Sequence, residues 1–474
     1  MNPEPPSSEL YRKALGTSAW STGLSVLLQV GQTILFARLA GPEAGGDYAI
    51  AAAVISFLMP LSEAGLVHAA VQVNRIDAKQ LAALGWMGCG LGAAVWMLLW
   101  FTAPLLASWY GRPGLSGLMS LMGASLVFMP FAALYTGLHA RRYAFALNGR
   151  IEVFSWLCSF TVLVFGAYKG WGPWAMAWAF VVRWVVVSVL STGFGLVHLN
   201  VFRPGSVVHA WPLFKLGFFE LGVRWTEFLS GSLDKLILGK WLGVETLGYY
   251  NMAFSFLQLP TSRLASIITR VSFPLLARLK TEPAALDVFF QKSSRHLILL
   301  LYPLYLALVL FANEIVLLLL GEEWMPMVLL MQIFGVAGWL RALWTPYPAL
   351  LRALGKPEIW WTNLLLWTFW TNLMLCLALW QNPTAEYAAW SRLFAKLTLG
   401  LLLPVWMASK AGVTWKTTYW YAFRLGLFGL VCGVFAWFLS SFFDGFWMVT
   451  GAKCGVLVLG GIVYYRFFLT RHND

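Results

Sequence analysis

The stretch RLAGPEAGGDYAIAAAVISFLMP, residues 38–60, decides how this chain is read, because KWLGVETLGYYNMAFSFLQLP, residues 240–260, repeats its pattern. At an offset of 202, Arg38 meets Lys240, Gly41 meets Gly243, Glu43 meets Glu245, Gly46 meets Gly248 and Tyr48 meets Tyr250. Each copy is a glycine-rich polar hinge between long apolar runs, and each following run reaches a proline, Pro60 or Pro260. Glycine permits a tight turn, and the acid suits the positive end of the helix that follows. The tyrosine suits a lipid–water boundary, and the proline bends the helix.

The runs on either side of these hinges are typical of the whole chain. Of its 474 residues 59% are hydrophobic and only 11% are charged, with a mean hydropathy of +0.70. So few charges cannot cover a water-facing surface of this length, so lipid is the solvent for most of the chain. The apolar runs are continuous instead of alternating, which excludes a β-barrel. The formal net charge of +13 sits mainly in short links between runs, where it reports topology and argues against a nucleic-acid partner.

A helix needs about 20 apolar residues to cross a bilayer. By that measure about fourteen windows qualify, near 16–40, 47–74, 81–110, 115–138, 147–169, 173–196, 212–241, 245–274, 292–320, 325–350, 358–381, 385–409, 418–442 and 446–468. The expected fold class is therefore an all-α polytopic membrane protein of about fourteen transmembrane helices. Alternate links are basic: Arg75 and Lys79; Arg141, Arg142 and Arg150; Arg203 and Lys215; Arg278 to Arg295; Arg352 and Lys356; Lys410 and Lys416. The other links have few basic residues (Arg38, Arg112, Lys169, Lys240) and several acids, Glu43, Asp47, Glu322, Glu323, Glu386 and Asp444. This alternation places both termini in the cytoplasm.

Six windows separate the two hinges, so the copies share one orientation and mark a parallel repeat of two six-helix lobes, the architecture of an alternating-access carrier. The expected organisation is a cytoplasmic tail at 1–15, an N-lobe at 16–197 and a cytoplasmic linker at 198–211. A C-lobe at 212–410 follows, then two further helices and a tail at 411–474. No link is large enough for a soluble catalytic domain, and no large loop clusters Arg or His, which argues against a membrane-embedded polymerase or ligase. The polar opening MNPEPPSSELYRKALG is not a cleavable signal peptide. Five cysteines lie in apolar runs without metal-ligand spacing and read as free thiols, so no metal or cofactor is expected.

An ionisable group inside a window is costly unless paired or hydrated, and so is a functional candidate. In 212–241, Glu220, Arg224, Glu227 and Asp234 fall at i, i+4, i+7 and i+14, on one helical face. Arg183, Arg263, Arg270, Arg341, Arg392 and Lys396 are further basic groups within windows, and Glu63 is a candidate partner for one of them. Together they suggest a cationic cavity for a large anionic headgroup, since Arg matches phosphate oxygens bidentately and Lys acts as a point charge. The acids Glu63, Glu220, Glu227 and Asp234 would balance that charge or couple transport to an ion. Most of the 27 tryptophans sit near window ends and read as interfacial anchors, with a minority available to stack on sugar.

Three segments resemble a known family. Residues 34–72, ILFARLAGPEAGGDYAIAAAVISFLMPLSEAGLVHAAVQ, are similar to the first hairpin of bacterial polysaccharide flippases of the multidrug/oligosaccharidyl-lipid/polysaccharide exporter superfamily. Residues 233–279, LDKLILGKWLGVETLGYYNMAFSFLQLPTSRLASIITRVSFPLLARL, resemble its colanic-acid and exopolysaccharide branch, and LLRALGKPE at 350–358 fits the same pattern. The resemblance implies a two-lobed, fourteen-helix inner-membrane carrier and not an enzyme. Its substrate would be a polyprenyl-diphosphate-linked oligosaccharide moved to the periplasmic leaflet, with membrane lipids, glycosyltransferases and a polysaccharide polymerase as partners. The two appended helices would help hold the lipid tail. Two relatives of that superfamily fit less well. Peptidoglycan-precursor flippases carry several arginines in their first two spans, and drug or cation exporters place an acid in span one. The window 16–40 has no charge before Arg38, although Gln29 and Gln32 give it a polar face.

Overall fold

Gly41 and Gly243 both take positive φ, 76° and 85°, the left-handed region that other residues avoid. The two copies of the hinge therefore turn the chain in the same way, and the fold is laid out around them. The structure is a computed structural model that describes residues 8–63, 78–141, 144–196, 207–442 and 446–464. The link residues Arg75, Arg142, Arg203 and Asp444, the terminal residues 1–7 and 465–474 and most of the 198–211 linker lie outside the described residues.

The described secondary structure is helical throughout. It runs α1 Ser8–Glu63, α2 Ala78–Tyr110, α3 Gly114–Gly123, α4 Ser125–Arg141, α5 Phe145–Tyr168, α6 Pro173–Leu196, α7 Val207–Trp241 and α8 Val244–Arg278. Then follow α9 Pro283–Leu310, α10 Ala312–Leu319, α11 Val328–Arg341, α12 Tyr347–Ala353, α13 Pro357–Gln381, α14 Ala385–Leu397, α15 Leu399–Ala411, α16 Lys416–Ser440 and α17 Phe446–Tyr464. The first two windows share α1, which kinks at Gly41. Four other windows are each divided between two helices. The window 385–409, for example, breaks at Thr398, whose φ of −91° and ψ of −100° are not helical.

Among the described residues, ten helices are long and apolar enough to cross a membrane. The helix α7 carries Arg224, Glu227, Asp234, Lys235 and Lys240 within one segment. Large side chains such as Phe101, Leu105, Leu430 and Val431 are exposed, as a lipid-facing surface requires. All five cysteines are free.

The chain divides into two compact units, Met1–Gly248 and Tyr249–Asp474. Compactness thus keeps α7 with the first unit, where it packs on α1 and α2, although the internal repeat begins a second half at α7. In the first unit α5 and α6 pack together around Leu163, Ala175 and Ala179, with Phe36 and Ala44 of α1. Apolar clusters in the second unit include the following pair. One joins α9, α12 and α15 through Phe290, Leu350 and Met407; the other joins α9, α16 and α17 through Leu310, Cys432 and Val456.

The hinges also touch. A Cβ on Gly46 would collide with the carbonyl of Val244, and one on Gly248 would collide with the carbonyl of Pro42. Pro42 and Val244 are themselves equivalent at the offset of 202, so the contact is reciprocal. Both glycines are needed for close backbone approach, a reason for their presence that the turn alone does not supply. Around this contact Tyr110 Oη donates to the Leu236 carbonyl (3.0 Å), Lys240 Nζ donates to the Trp109 carbonyl, and Trp225 Nε1 donates to the Phe57 carbonyl (3.2 Å). Arg112, in the turn after α2, forks onto Asp47 (2.7 Å) and Glu43 (2.6 Å). Those two carboxylates hold its guanidinium pKa above the ordinary arginine value, the hydrogen bond to Asp47 contributing most. The hinge acids thus serve as a clamp.

Candidate substrate site

In the first unit, α7 presents Arg224 toward the end of the described part of α1. Its Nη1 lies 3.0 Å from Glu63 Oε2, and Glu63 is almost fully buried, with 7% of its side chain exposed. Phe57, on α1, stacks on Trp225 of α7 at 5.9 Å and 14°, a second contact between the two helices. The expectation that Glu63 partners a basic group is met by Arg224. Asp234 is fully buried on the same helix, whereas Glu227 is exposed. The side chain of Glu220 lies outside the described residues.

Arg183, on α6, lies between two indoles, its guanidinium carbon 4.2 Å from the Trp156 ring and 5.1 Å from the Trp184 ring. Nearby, Gln32 of α1 and Ser159 of α5 hydrogen-bond each other at 3.1–3.2 Å, and the Ser159 hydroxyl also donates to the Ala179 carbonyl (2.8 Å). The polar face that Gln32 gives α1 is thus consumed in helix packing.

In the second unit, α11 and α14 pack together and bring three cations to one place. Arg341 ends α11, while Arg392 and Lys396 lie one turn apart on α14. Arg341 and Arg392 are close enough for each to feel the other's charge, and Lys396 feels both. Lys396 Nζ donates to the Ala337 carbonyl (2.6 Å), and the Arg392 guanidinium sits 4.9 Å from the Phe254 ring. Among the described residues no carboxylate comes within ion-pairing distance of Arg341 or Lys396. The side chains of Arg263 and Arg270, expected to contribute, lie outside the described residues.

The cluster sits beside two interruptions in helix geometry, the turn 342–346 and the break at Thr398. Trp344 Nε1 ties one to the other by donating to the Gly400 carbonyl (2.6 Å), and Trp370 Nε1 donates to Thr398 Oγ1 (2.9 Å). Interrupted helices carrying polar groups are a recurrent site-building device in membrane carriers.

One ion pair was not anticipated. Lys453 Nζ of α17 lies 2.7 Å from Glu314 Oε1 of α10, with side-chain exposures of 16% and 5%. Both residues stand inside apolar windows, in FANEIVLL and TGAKCGVL, so the signal that picked out Glu63 applied to them equally.

These features define a class: a polytopic helical membrane protein with buried ionic groups in both of its units. The fold is shared with solved carriers. It matches a lipid II flippase MurJ in an inward closed conformation with a TM-score of 0.76 at 12% identity, over 95% of this chain and 98% of that one. It matches an inward-facing multidrug resistance MATE family transporter with a TM-score of 0.65 at 13% identity, over 82% and 94%. The particular family follows from sequence. Residues 35–329 match the family described as polysaccharide biosynthesis protein, and the chain belongs to it. The chain is 27% identical to the lipopolysaccharide biosynthesis protein WzxC of Escherichia coli (strain K12), over 74% of this chain and 72% of that protein. It is 24% identical to the teichuronic acid biosynthesis protein TuaB of Bacillus subtilis (strain 168), over 88% and 86%.

Proposed function

We propose that this protein is a flippase that carries polyprenyl-diphosphate-linked oligosaccharide repeat units from the cytoplasmic to the periplasmic leaflet of the bacterial inner membrane. The observation that carries the reading is the cluster of Arg341, Arg392 and Lys396, three basic side chains gathered where α11 packs on α14, in a chain of the polysaccharide biosynthesis family. Such a cluster favours an anion of high charge, and a diphosphate supplies that charge with oxygens spaced for guanidinium forks. The names of the relatives, with biosynthesis of lipopolysaccharide and teichuronic acid, support the same substrate class.

The residues divide the work as follows. Arg341 and Arg392 hold the diphosphate, and Lys396 exchanges its backbone carbonyl for a phosphate oxygen. Glu63 holds Arg224 in place while the site is empty, and the incoming anion competes for that arginine. Asp234 and Glu227 balance the charge of α7. Both termini face the cytoplasm, and the lobes are the two halves of the repeat. Glycosyltransferases supply the substrate and a polymerase consumes it. Export of small cations, the other activity that this fold supports, is disfavoured because the cluster repels a cation.

The test is a clean deletion in a strain without a second copy. The expected result is lipid-linked repeat units accumulating on the cytoplasmic leaflet and loss of surface polysaccharide. Normal polymer in that strain would overturn the reading.

A further inference from the structure

Two buried hydrogen-bond donors in the first unit have no acceptor. The indole Nε1 atoms of Trp156 and Trp184 are both buried, and neither meets a partner among the described residues. Trp156 is 9% exposed, near the middle of α5, and Trp184 is near the middle of α6. Both rings flank the same guanidinium, that of Arg183. Buried indoles ordinarily find a partner for the N–H, and the cost of leaving one unmade is highest where no water can reach it.

The chemistry of the three side chains points in one direction. An indole offers one donor and no acceptor, and a guanidinium offers five donors and no acceptor. A sugar hydroxyl would be a poor match, because it brings a donor of its own that these groups cannot receive. A group that only accepts, and carries negative charge, suits the two unpartnered indole donors and the guanidinium beside them. The ring-face contacts also hold Arg183 between the two tryptophans, so the donors are ordered before a ligand arrives.

We propose that Trp156, Trp184 and Arg183 form a donor-only subsite for an oxyanion on the lipid-linked glycan, either its diphosphate or the carboxylate of an acidic sugar. The subsite rests on the reading that the protein handles such lipids, and it assigns two tryptophans that the repeat and the charge pattern do not single out. The experiment measures equilibrium binding to the full-length protein in nanodiscs with three probes. These are polyprenyl diphosphate bearing glucose, the same lipid bearing glucuronic acid, and an uncharged polyprenyl glucoside. The variant is Trp156→Phe with Trp184→Phe, which keeps both rings and removes both donors. About tenfold weaker binding per lost donor is the expected scale for hydrogen bonds to a charged acceptor.

A loss confined to the glucuronic acid lipid supports a carboxylate in the subsite. A similar loss for both diphosphate lipids, with the uncharged glucoside unchanged, supports the diphosphate. Equal loss for all three probes, or loss for none, overturns the subsite. Wild-type protein that binds no charged probe sinks the flippase reading instead, so the two failures are distinct. Arg183→Lys keeps the charge but not the fork, and is expected to weaken the same probe as the tryptophan variant.

Discussion

A charged pair in the first unit and a basic cluster in the second make the sharpest contrast in the molecule. In the first, Arg224 is paired with Glu63 at 3.0 Å. In the second, Arg341, Arg392 and Lys396 stand together, and among the described residues neither Arg341 nor Lys396 has a carboxylate within reach. A pair is stable as it stands, whereas like charges repel one another and are relieved by an anion. The contrast teaches that the repeated helical frame does not impose a repeated chemistry. The cluster in the second unit gathers like charges, whereas the pair in the first unit holds opposite ones.

The largest expected effect lies where the contrast is sharpest. Replacing Arg341, Arg392 and Lys396 together by Gln should slow movement of the lipid-linked glycan at least about 100-fold, as expected for loss of several charge-assisted hydrogen bonds. Proteoliposome assays with matched protein insertion would measure it, and retained activity would remove the cluster from the site. Next comes the first unit's pair. Glu63→Gln should slow movement about tenfold by leaving Arg224 without its counter-charge. The charge-swapped pair Glu63→Arg with Arg224→Glu should restore stability but not transport, separating structural from functional use of the pair.

The second unit's own ion pair sharpens the comparison from the other side. Lys453→Met should destabilise the protein by about 3 kcal/mol, because it leaves the buried Glu314 uncompensated. Adding Glu314→Leu should recover most of that loss, read as the melting temperature in nanodiscs. If Lys453→Met instead abolishes transport at unchanged stability, the pair belongs to the site and the contrast between units is smaller than drawn. At the hinges, Gly46→Ala should cost about 1–3 kcal/mol by pushing the Val244 backbone away, and Gly248→Ala should match it because the contact is reciprocal. Arg112→Ala is expected to be the mildest, at most about 1 kcal/mol and less in high salt, because Arg112 is about one-third exposed and Glu43 more so, at 35% and 61%.

Much of this was legible in the chain. Continuous apolar windows call for helices, and helices occupy them. Matching glycines at 41 and 243 call for matching turns, and both take positive φ. The rule that a charge inside an apolar window is a candidate selected Glu63, Arg224, Arg341, Arg392 and Lys396, all of which the structure gathers into pairs or clusters. The same rule, applied less evenly, passed over Glu314 and Lys453. It also ranked α7 as the richest segment without being able to say that Arg224 reaches across to Glu63 of α1.

What the sequence determined by itself is the solvent, the helices and the repeat, because hydropathy and glycine spacing act over one or two turns and are read locally. Only the tertiary structure decided which charges meet. Arg224 and Glu63 are 161 residues apart, Lys453 and Glu314 are 139 apart, and Gly46 lies against a carbonyl almost two hundred residues away. Such contacts depend on how helices are laid beside one another, and helix periodicity places a residue on a face without saying which neighbour that face will find.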